Sequence, residues 1–179
     1  MAFNEEEFPK FIRALEFASR KHSVQRRKDA EASPYINHPI ALVSILAVEA
    51  EIDDSDVLCA ALLHDTIEDT KTSREELVAQ FGAAIADIVL EVTDDKTLEK
   101  EARKRLQIEH AHALSPAAGL VKLADKIANL RDVAQCPPPD WPLQRRQEYF
   151  DWAKAVVDEI RNAPPGLRAL FDSAYANRP

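Results

Sequence analysis

Apolar residues recur at spacings of three and four through most of this 179-residue chain. The spacing runs through Phe8, Ile12 and Leu15 near the start, and through Leu123 and Ile127 further along. It is typical of helices that bury one face. The alternation of apolar and polar residues that indicates a half-buried β-strand does not persist over more than a few residues. The sequence therefore predicts an all-α fold.

Length and composition indicate an ordinary globular chain. Hydrophobic residues make up 46% and charged residues 30% of the 179 residues, which is enough apolar material to bury a core. A chain of this length suits one domain. We therefore expect a single helical bundle that spans residues 1–179.

The formal net charge of −8 limits the classes of partner that we expect the protein to bind. Non-specific binding of DNA or RNA usually needs a basic face, so we expect no nucleic-acid partner. A small anion in a locally positive pocket remains compatible with this charge. The three glycines, Gly82, Gly119 and Gly166, are too dispersed for a glycine-rich phosphate loop. Any phosphate must therefore be bound by cations and side chains.

The sequence carries no recognisable targeting or membrane signal. No apolar run approaches the roughly 18 residues of a membrane span, and the acidic N-terminus does not resemble a signal peptide. Cys59 and Cys136 are far apart and do not form a disulfide framework. We expect a cytoplasmic protein without a membrane partner.

The most informative motif is a histidine and a carboxylate at the end of an apolar helix. The segment Val57–Leu63 is apolar on most sides, so His64 and Asp65 follow what should be the most buried helix. Asp125 stands on the apolar face of a later, longer helix. Unpaired buried charges are strongly destabilising. A shared divalent cation would neutralise both carboxylates, and the neutral imidazole of His38 is a natural fourth ligand.

Two imidazole nitrogens and two carboxylate oxygens suit Mn²⁺, Fe²⁺, Zn²⁺ or Mg²⁺. On a six-coordinate ion, four protein ligands leave room for water or substrate oxygens, which hydrolysis needs. An adjacent His–Asp pair is also common by chance. The alternative is a helix end at which Asp65 or Asp69 caps the next turn. Spacing alone leaves both interpretations open.

Glu68 and Asp69 follow His64 and Asp65 by four residues each. If the helix continued, both carboxylates would lie over the same face as the metal ligands. A carboxylate in that place can orient or deprotonate an attacking water, or protonate a leaving group. The alternative is a solvated acidic turn.

Basic residues form clusters despite the acidic net charge. The early cluster holds Arg20, Lys21, His22, Arg26, Arg27 and Lys28, and the later ones hold Lys96, Lys100, Lys104, Arg145 and Arg146. A substrate with several phosphates would need such cations. The alternative is that they are solvated helix faces, as we predict for the highly charged segment from Leu98 to His112.

Taken together and in this order, these motifs resemble the hydrolase domain of the RelA/SpoT alarmone enzymes. The chain is most similar to the free-standing small alarmone hydrolases, which include the metazoan SpoT homologues. The resemblance covers about residues 15–160 and rests on these segments: 20–22, 25–29, 34–39, 60–70, 91–96, 120–126, 129–132 and 147–150. Each segment is weakly specific alone, and the combination is highly specific.

The resemblance implies an HD-domain helical bundle and a role for each motif. The implied Mn²⁺ ligands are His38, His64, Asp65 and Asp125. The implied catalytic pair beside the attacking water is Glu68 and Asp69. The residues implied to contact the nucleotide or its phosphates are Arg27, Lys28, Lys100, Asn129, Arg145 and Tyr149.

The implied reaction is hydrolysis of the 3′-pyrophosphate of ppGpp or pppGpp, which gives GDP or GTP and pyrophosphate. Removal of the 2′-phosphate of NADPH on the same site is an alternative, because some relatives look able to do this. A non-catalytic nucleotide-binding module is a third interpretation, although the intact metal and Glu–Asp positions argue against it. One departure is Ala128, where relatives often carry Tyr or His, so base stacking or packing should differ there. The sequence does not predict the oligomeric state.

Overall fold

The computed structural model describes residues 5–179, and helices form almost all of its regular structure. The helices are α1 Glu7–Lys21, α2 Asn37–Ser44, α3 Ser55–Leu63, α4 Thr66–Asp69, α5 Arg74–Phe81, α6 Ala83–Val92, α7 Lys100–Ala111, α8 Pro116–Gln135, α9 Leu143–Glu159 and α10 Pro165–Tyr175. A π-helical turn, Ile45–Glu49, continues α2. Within the described part of the chain, extended pairing is limited to one bridge between Arg26 and Pro34. The predicted all-α fold is confirmed.

Helix α3 lies at the centre of the bundle, as its apolar sequence predicts. Every residue from Val57 to Leu63 is at most 1% exposed, and α3 packs against α1, α2, α6 and α8. Burial of each large aliphatic side chain contributes roughly 1.5–3 kcal/mol. The side chain of Asp54 caps the helix by accepting from the backbone N–H groups of Asp56 and Val57. Polar residues that follow α3 are therefore placed at the edge of a rigid core.

Local signals determine where the flanking helices begin and end. Ser73 caps α5 by accepting from the N–H of Glu76, and Ser115 caps α8 in the same way with Pro116 at the first helical position. Gly82 lies between α5 and α6 with φ +91°. That left-handed conformation is unfavourable for residues with a Cβ atom, so a glycine ends α5 at this point.

Helix α7 departs in part from the sequence prediction. The charged segment is helical from Lys100 to Ala111, but it is not surrounded by solvent, because it packs against α9. The indole N–H of Trp152 on α9 donates to the carbonyl of Lys104 at 3.0 Å. One face of α7 thus becomes a wall of the site. Among the helices of residues 5–179, none is long and apolar enough to cross a bilayer.

Candidate active site

The functional residues meet where α3 ends. After Leu63 the helix breaks at His64 and Asp65, and the short α4 then begins. His38, in the first turn of α2, faces the same point. His38 is 3% and His64 5% exposed, and each can offer one ligand atom that lies within 4.8 Å of the others and of an Asp65 oxygen. The structure thus brings three of the four predicted metal ligands into one cluster.

The hydrogen bonds of His64 aim its second nitrogen at a carboxylate. His64 Nδ1 lies 2.9 Å from the carbonyl oxygen of Ala61, to which it can donate. Nε2 lies 2.9 Å from Asp65 Oδ2, yet it makes no hydrogen bond of normal geometry. With Nδ1 as the donor, Nε2 and the carboxylate oxygen face each other as two acceptors. A cation is needed between or beside them.

The pKa values of His64 and Asp65 also indicate that positive charge is required at this point. Burial lowers the pKa of His64, but the carboxylates of Asp65 and Asp125 outweigh burial and raise it to about 9. Burial raises the pKa of Asp65, and the adjacent His64 and His38 more than reverse this, so the pKa lies well below its usual range. The carboxylate is therefore ionised and calls for positive charge from a proton or a metal ion.

Asp125 borders the cluster but is not within the mutually close set. Its Oδ1 lies 3.2 Å from His38 Nε2. Oδ1 also accepts from the amide of Asn129 at 2.6 Å, and Oδ2 accepts from Lys126 at 3.2 Å. Burial alone would raise its pKa, but Lys126 and His38 lower it well below the usual value. Asp125 is thus an ionised carboxylate at the edge of the cluster with partners of its own.

This donor set fits a divalent cation. Two imidazole nitrogens with carboxylate oxygens are ligands that borderline and hard divalent ions accept. The buried Nε2 of His64 without a hydrogen-bond partner is the kind of atom that a metal satisfies. The contact from its Nδ1 to a backbone carbonyl is also typical of metal-binding histidines, because it orients the ring. The three atoms together could hold a metal ion.

Glu68 and Asp69 lie beside the cluster but do not share one face of a continuous helix. Because the chain turns at His64 and Asp65, Glu68 lines the small pocket that contains the cluster, whereas Asp69 lines the larger cleft next to it. Lys96 lies 3.2 Å from Glu68 and 2.6 Å from Asp69. The backbone N–H of Asp94 donates to Glu68 Oε2 at 3.0 Å. Burial raises the pKa of Glu68, although this hydrogen bond opposes the rise.

The small pocket holds a buried cation that sequence reasoning missed. It measures about 150 Å³, and its lining includes Lys122. This side chain is 8% exposed and donates to the carbonyl of Val92 at 2.9 Å. Burial lowers its pKa. The sequence signal that could have identified Lys122 was its position three residues before Asp125, on the apolar face of the same helix.

A cleft of about 1000 Å³ adjoins the small pocket. All six residues predicted to contact the nucleotide line it, namely Arg27, Lys28, Lys100, Asn129, Arg145 and Tyr149. Arg27 reaches both pockets and donates to the Asn129 side-chain oxygen at 3.1 Å. It also donates to Asp132 at 2.5 Å. Residues from distant parts of the chain thus form one cationic wall.

An aromatic wall faces this cleft. The ring centroids of Trp141 and Tyr149 lie 5.5 Å apart, and those of Tyr149 and Trp152 lie 5.3 Å apart. The guanidinium of Arg145 lies 4.3 Å from the Trp141 ring centroid. The sequence prediction named only Tyr149. The sequence signal for the two tryptophans was their position relative to Tyr149. Trp152 follows Tyr149 by three residues, about one helical turn, and Trp141 precedes it by eight.

Several predicted positions do not join the site. Arg20 pairs with Glu16, and Lys21 pairs with Glu76, both away from the cleft. These two basic residues are solvated or structural, as the alternative interpretation proposed. Ala128 is 3% exposed and belongs to the hydrophobic core. The alanine that departs from the family pattern at position 128 therefore affects core packing and does not change the lining of the cleft.

Known proteins are similar to this chain over nearly its whole length. Residues 14–151 match the HD domain family. The chain is 57% identical over 172 residues to the Homo sapiens protein named guanosine-3′,5′-bis(diphosphate) 3′-pyrophosphohydrolase MESH1, covering 96% of each chain. The Xenopus tropicalis protein of the same name is 52% identical over 167 residues, covering 93% of each.

A solved structure agrees with the sequence matches. It is described as a metazoan ortholog of SpoT that hydrolyzes ppGpp and plays a role in starvation responses. It superposes with a TM-score of 0.93 at 47% identity, covering 99% of this chain and 98% of that one. The chain therefore belongs to the HD domain family, and within that family it groups with the MESH1 proteins.

Proposed function

We propose that this protein hydrolyses the 3′-pyrophosphate ester of ppGpp or pppGpp. Water adds to phosphorus, the bond between phosphorus and the 3′ oxygen breaks, and GDP or GTP leaves with a 3′ hydroxyl beside free pyrophosphate. The observation that carries the proposal is the cluster of His38, His64 and Asp65, which adjoins a cationic cleft. Relatives that cover nearly the whole chain are named for this activity.

In this proposal His38, His64, Asp65 and Asp125 hold one divalent ion, with Mn²⁺ as our first choice. When bound, such an ion supplies Lewis acidity that offsets phosphate charge and makes water a better nucleophile. The protein's contribution is to keep the ligand oxygens ionised. The lowered pKa of both aspartates serves this purpose.

We assign the proton handling to Glu68. It lines the small pocket, and its raised pKa brings it closer to the range in which a carboxylate can accept a proton and release it again. Oε2 accepts from the N–H of Asp94 and Oε1 lies 3.2 Å from Lys96, so the carboxylate is held in one orientation. Asp69 positions the same water from the cleft side, and Lys96 offsets part of the negative charge of the pair.

The cleft would bind the rest of the nucleotide. Arg27, Lys28, Lys100 and Arg145 provide cations for the phosphate groups. Tyr149, between two tryptophans, provides a surface on which a base can stack. Asn129 is fixed between Arg27 and Asp125 and can present its amide to the ribose or base.

NADPH is the second candidate substrate. Tyr149 and the two tryptophans form a row of three aromatic rings in the cleft lining, which is more stacking surface than a single guanine needs. A dinucleotide with a phosphate on its ribose would use the same metal cluster and the same cationic wall. Its reaction would release inorganic phosphate in place of pyrophosphate.

The deciding experiment measures both products side by side. Purified protein is stripped of metal, and pyrophosphate release from ppGpp and phosphate release from NADPH are followed with and without added Mn²⁺. We expect Mn²⁺-dependent pyrophosphate release from ppGpp. Phosphate from NADPH without pyrophosphate from ppGpp would replace the substrate and keep the chemistry. Binding of ppGpp without either product would favour the non-catalytic module.

A further inference from the structure

Both carboxylate oxygens of Asp69 have a partner. Lys96 lies 2.6 Å from Oδ1, and the Gln25 amide donates to Oδ2 at 2.7 Å. The Lys96 side chain is 48% exposed. Gln25 is partly buried and its backbone is fixed on both sides. Its N–H donates to the carbonyl of His22 at 3.0 Å, and its carbonyl accepts from the N–H of Tyr35 at 3.2 Å. Gln25 is therefore the more rigid of the two partners.

The carboxylate determines which way the Gln25 amide points. An ionised carboxylate can only accept hydrogen bonds, so the NH₂ group of Gln25 must face Asp69. The amide oxygen then lies at the other end, 2.7 Å from His22 Nδ1. Because an amide oxygen also only accepts, Nδ1 must carry the proton. The chain of donors and acceptors thus sets the tautomer of His22.

The surroundings of His22 favour the tautomer with the proton on Nδ1. It is 2% exposed, and its Nε2 has no hydrogen-bond partner. A proton on this nitrogen would be a buried unsatisfied donor, which is unfavourable. The ring also lies against Tyr35, with centroids 4.9 Å apart. The Tyr35 hydroxyl donates to Asp65 Oδ2, so one ring separates His22 from the metal cluster, whereas hydrogen bonds connect His22 through Gln25 to Asp69.

We propose that Gln25 and His22 are positioning residues that hold the Asp69 carboxylate in its reactive orientation. Gln25 acts by direct hydrogen bonding, and His22 acts by fixing the direction of the Gln25 amide. The inference rests on the proposed role of Asp69 in hydrolysis. Neither residue contacts the three-ligand cluster through its hydrogen bonds, so both should affect the rate without affecting metal content.

The first test removes the amide at constant side-chain length. Gln25→Met should lower kcat about 10-fold, the scale of other supporting residues in metal sites, and leave KM within about twofold. Gln80→Met is the matched control, because Gln80 is exposed on α5, away from both pockets. A kcat of Gln25→Met within about twofold of the wild type would overturn the proposal.

The second test separates hydrogen bonding from packing at position 22. His22→Asn places an amide N–H near the position of Nδ1, whereas His22→Leu fills more space without a donor. We expect kcat to fall about fivefold in His22→Leu and to stay within about twofold in His22→Asn. If the role were only to fill space, the order would be reversed. Equal losses in both variants would also contradict the proposed hydrogen bond.

A third measurement is independent of activity. Long-range nitrogen–proton correlation spectra of the metal-free protein, recorded at a pH where imidazole is neutral, report which ring nitrogen carries the proton. We expect His22 to be protonated on Nδ1 in the wild type and to lose this preference in Gln25→Met. Protonation on Nε2 in the wild type would refute the proposed direction of the network.

These results are distinguishable from failure of the proposed function. Absence of pyrophosphate release by the wild type, or full activity of Asp69→Asn, would contradict the function or the role of Asp69. Loss of activity in Asp69→Asn together with an unaffected Gln25→Met would contradict only the positioning role. The NMR result stands in either case.

Discussion

The small pocket and the large cleft suit ligands of opposite charge. The small pocket gathers buried carboxylates and imidazoles in about 150 Å³, and this donor set suits a cation. The cleft spreads arginines, lysines and aromatic rings around about 1000 Å³, so it demands an anion with a flat ring system. In a protein of net charge −8, several arginines and lysines are thus gathered around this cleft. The difference teaches that the reaction rate should depend on the cluster and the carboxylates beside it, and that affinity should depend on the cationic and aromatic residues of the cleft.

Loss of the central carboxylate should have the largest effect. Asp65→Ala removes a ligand of the cluster and leaves His64 without its neighbouring charge. We expect kcat/KM to fall at least about a thousandfold, because Lewis-acid stabilisation is worth several kcal/mol. Bound Mn²⁺, measured by metal analysis, should fall together with pyrophosphate release. Asp87→Ala, which removes an exposed partner of Arg74, is the control. Normal metal content and turnover in Asp65→Ala would disprove the metal assignment.

Neutralising the proposed base should lower the rate and leave the metal in place. Glu68→Gln keeps the size of the side chain and removes its ability to accept a proton. We expect kcat to fall about a hundredfold, with bound Mn²⁺ unchanged. Single-turnover kinetics at saturating substrate measure this directly. An unchanged kcat would remove Glu68 from the chemistry and leave it as a structural partner of Asp94.

A substitution in the cleft should act on affinity. Arg145→Met removes a cation that stacks on Trp141, and charge-assisted hydrogen bonds contribute roughly 1.5–3 kcal/mol. We expect KM to rise about 10-fold, with kcat within about twofold, in steady-state assays at low salt. Arg105→Met on the exposed face of α7 is the control. If kcat fell while KM stayed constant, the division between pocket and cleft would be wrong.

Outside both regions the effects should be small. Arg131 pairs with Glu49 on the surface at 2.6 Å, and this contact lowers the pKa of the Glu49 carboxyl. A lowered pKa in the folded state stabilises the protein above the unfolded pKa and ceases to do so as the pH falls. Because both side chains are about one-third exposed, screening limits the loss in Arg131→Met to about 0.5 kcal/mol near neutral pH.

That difference in the free energy of unfolding should shrink as the pH falls below the unfolded glutamate pKa of about 4.3, and it should disappear once the pH is below the lowered pKa of Glu49 in the folded state. Urea titrations of both proteins at several pH values measure it. Activity should be unchanged. A loss of several kcal/mol, or one that grew in acid, would show that Arg131 does more than pair with Glu49.

Several features of the site follow from local sequence alone. The apolar run Val57–Leu63 had to be buried, so His64 and Asp65 had to lie at the edge of the core. The caps at Ser73 and Ser115 and the helix stop at Gly82 are also local features, because such signals act within a few residues. The resemblance to the alarmone hydrolases named six residues expected to contact the nucleotide, and all six are part of the cleft lining.

Other features depended on contacts between distant segments. Gln25 meets Asp69 across 44 residues, and Lys96 meets it across 27. The tautomer of His22 and the second wall provided by Trp141 follow from such contacts, and no local pattern encodes them. The sequence by itself determined a helical bundle with polar residues at the end of its most buried helix, because burial of apolar side chains is dictated by composition and periodicity. Only the tertiary structure decided which polar groups face each other, because hydrogen bonds and ion pairs depend on atomic distances that only chain packing sets.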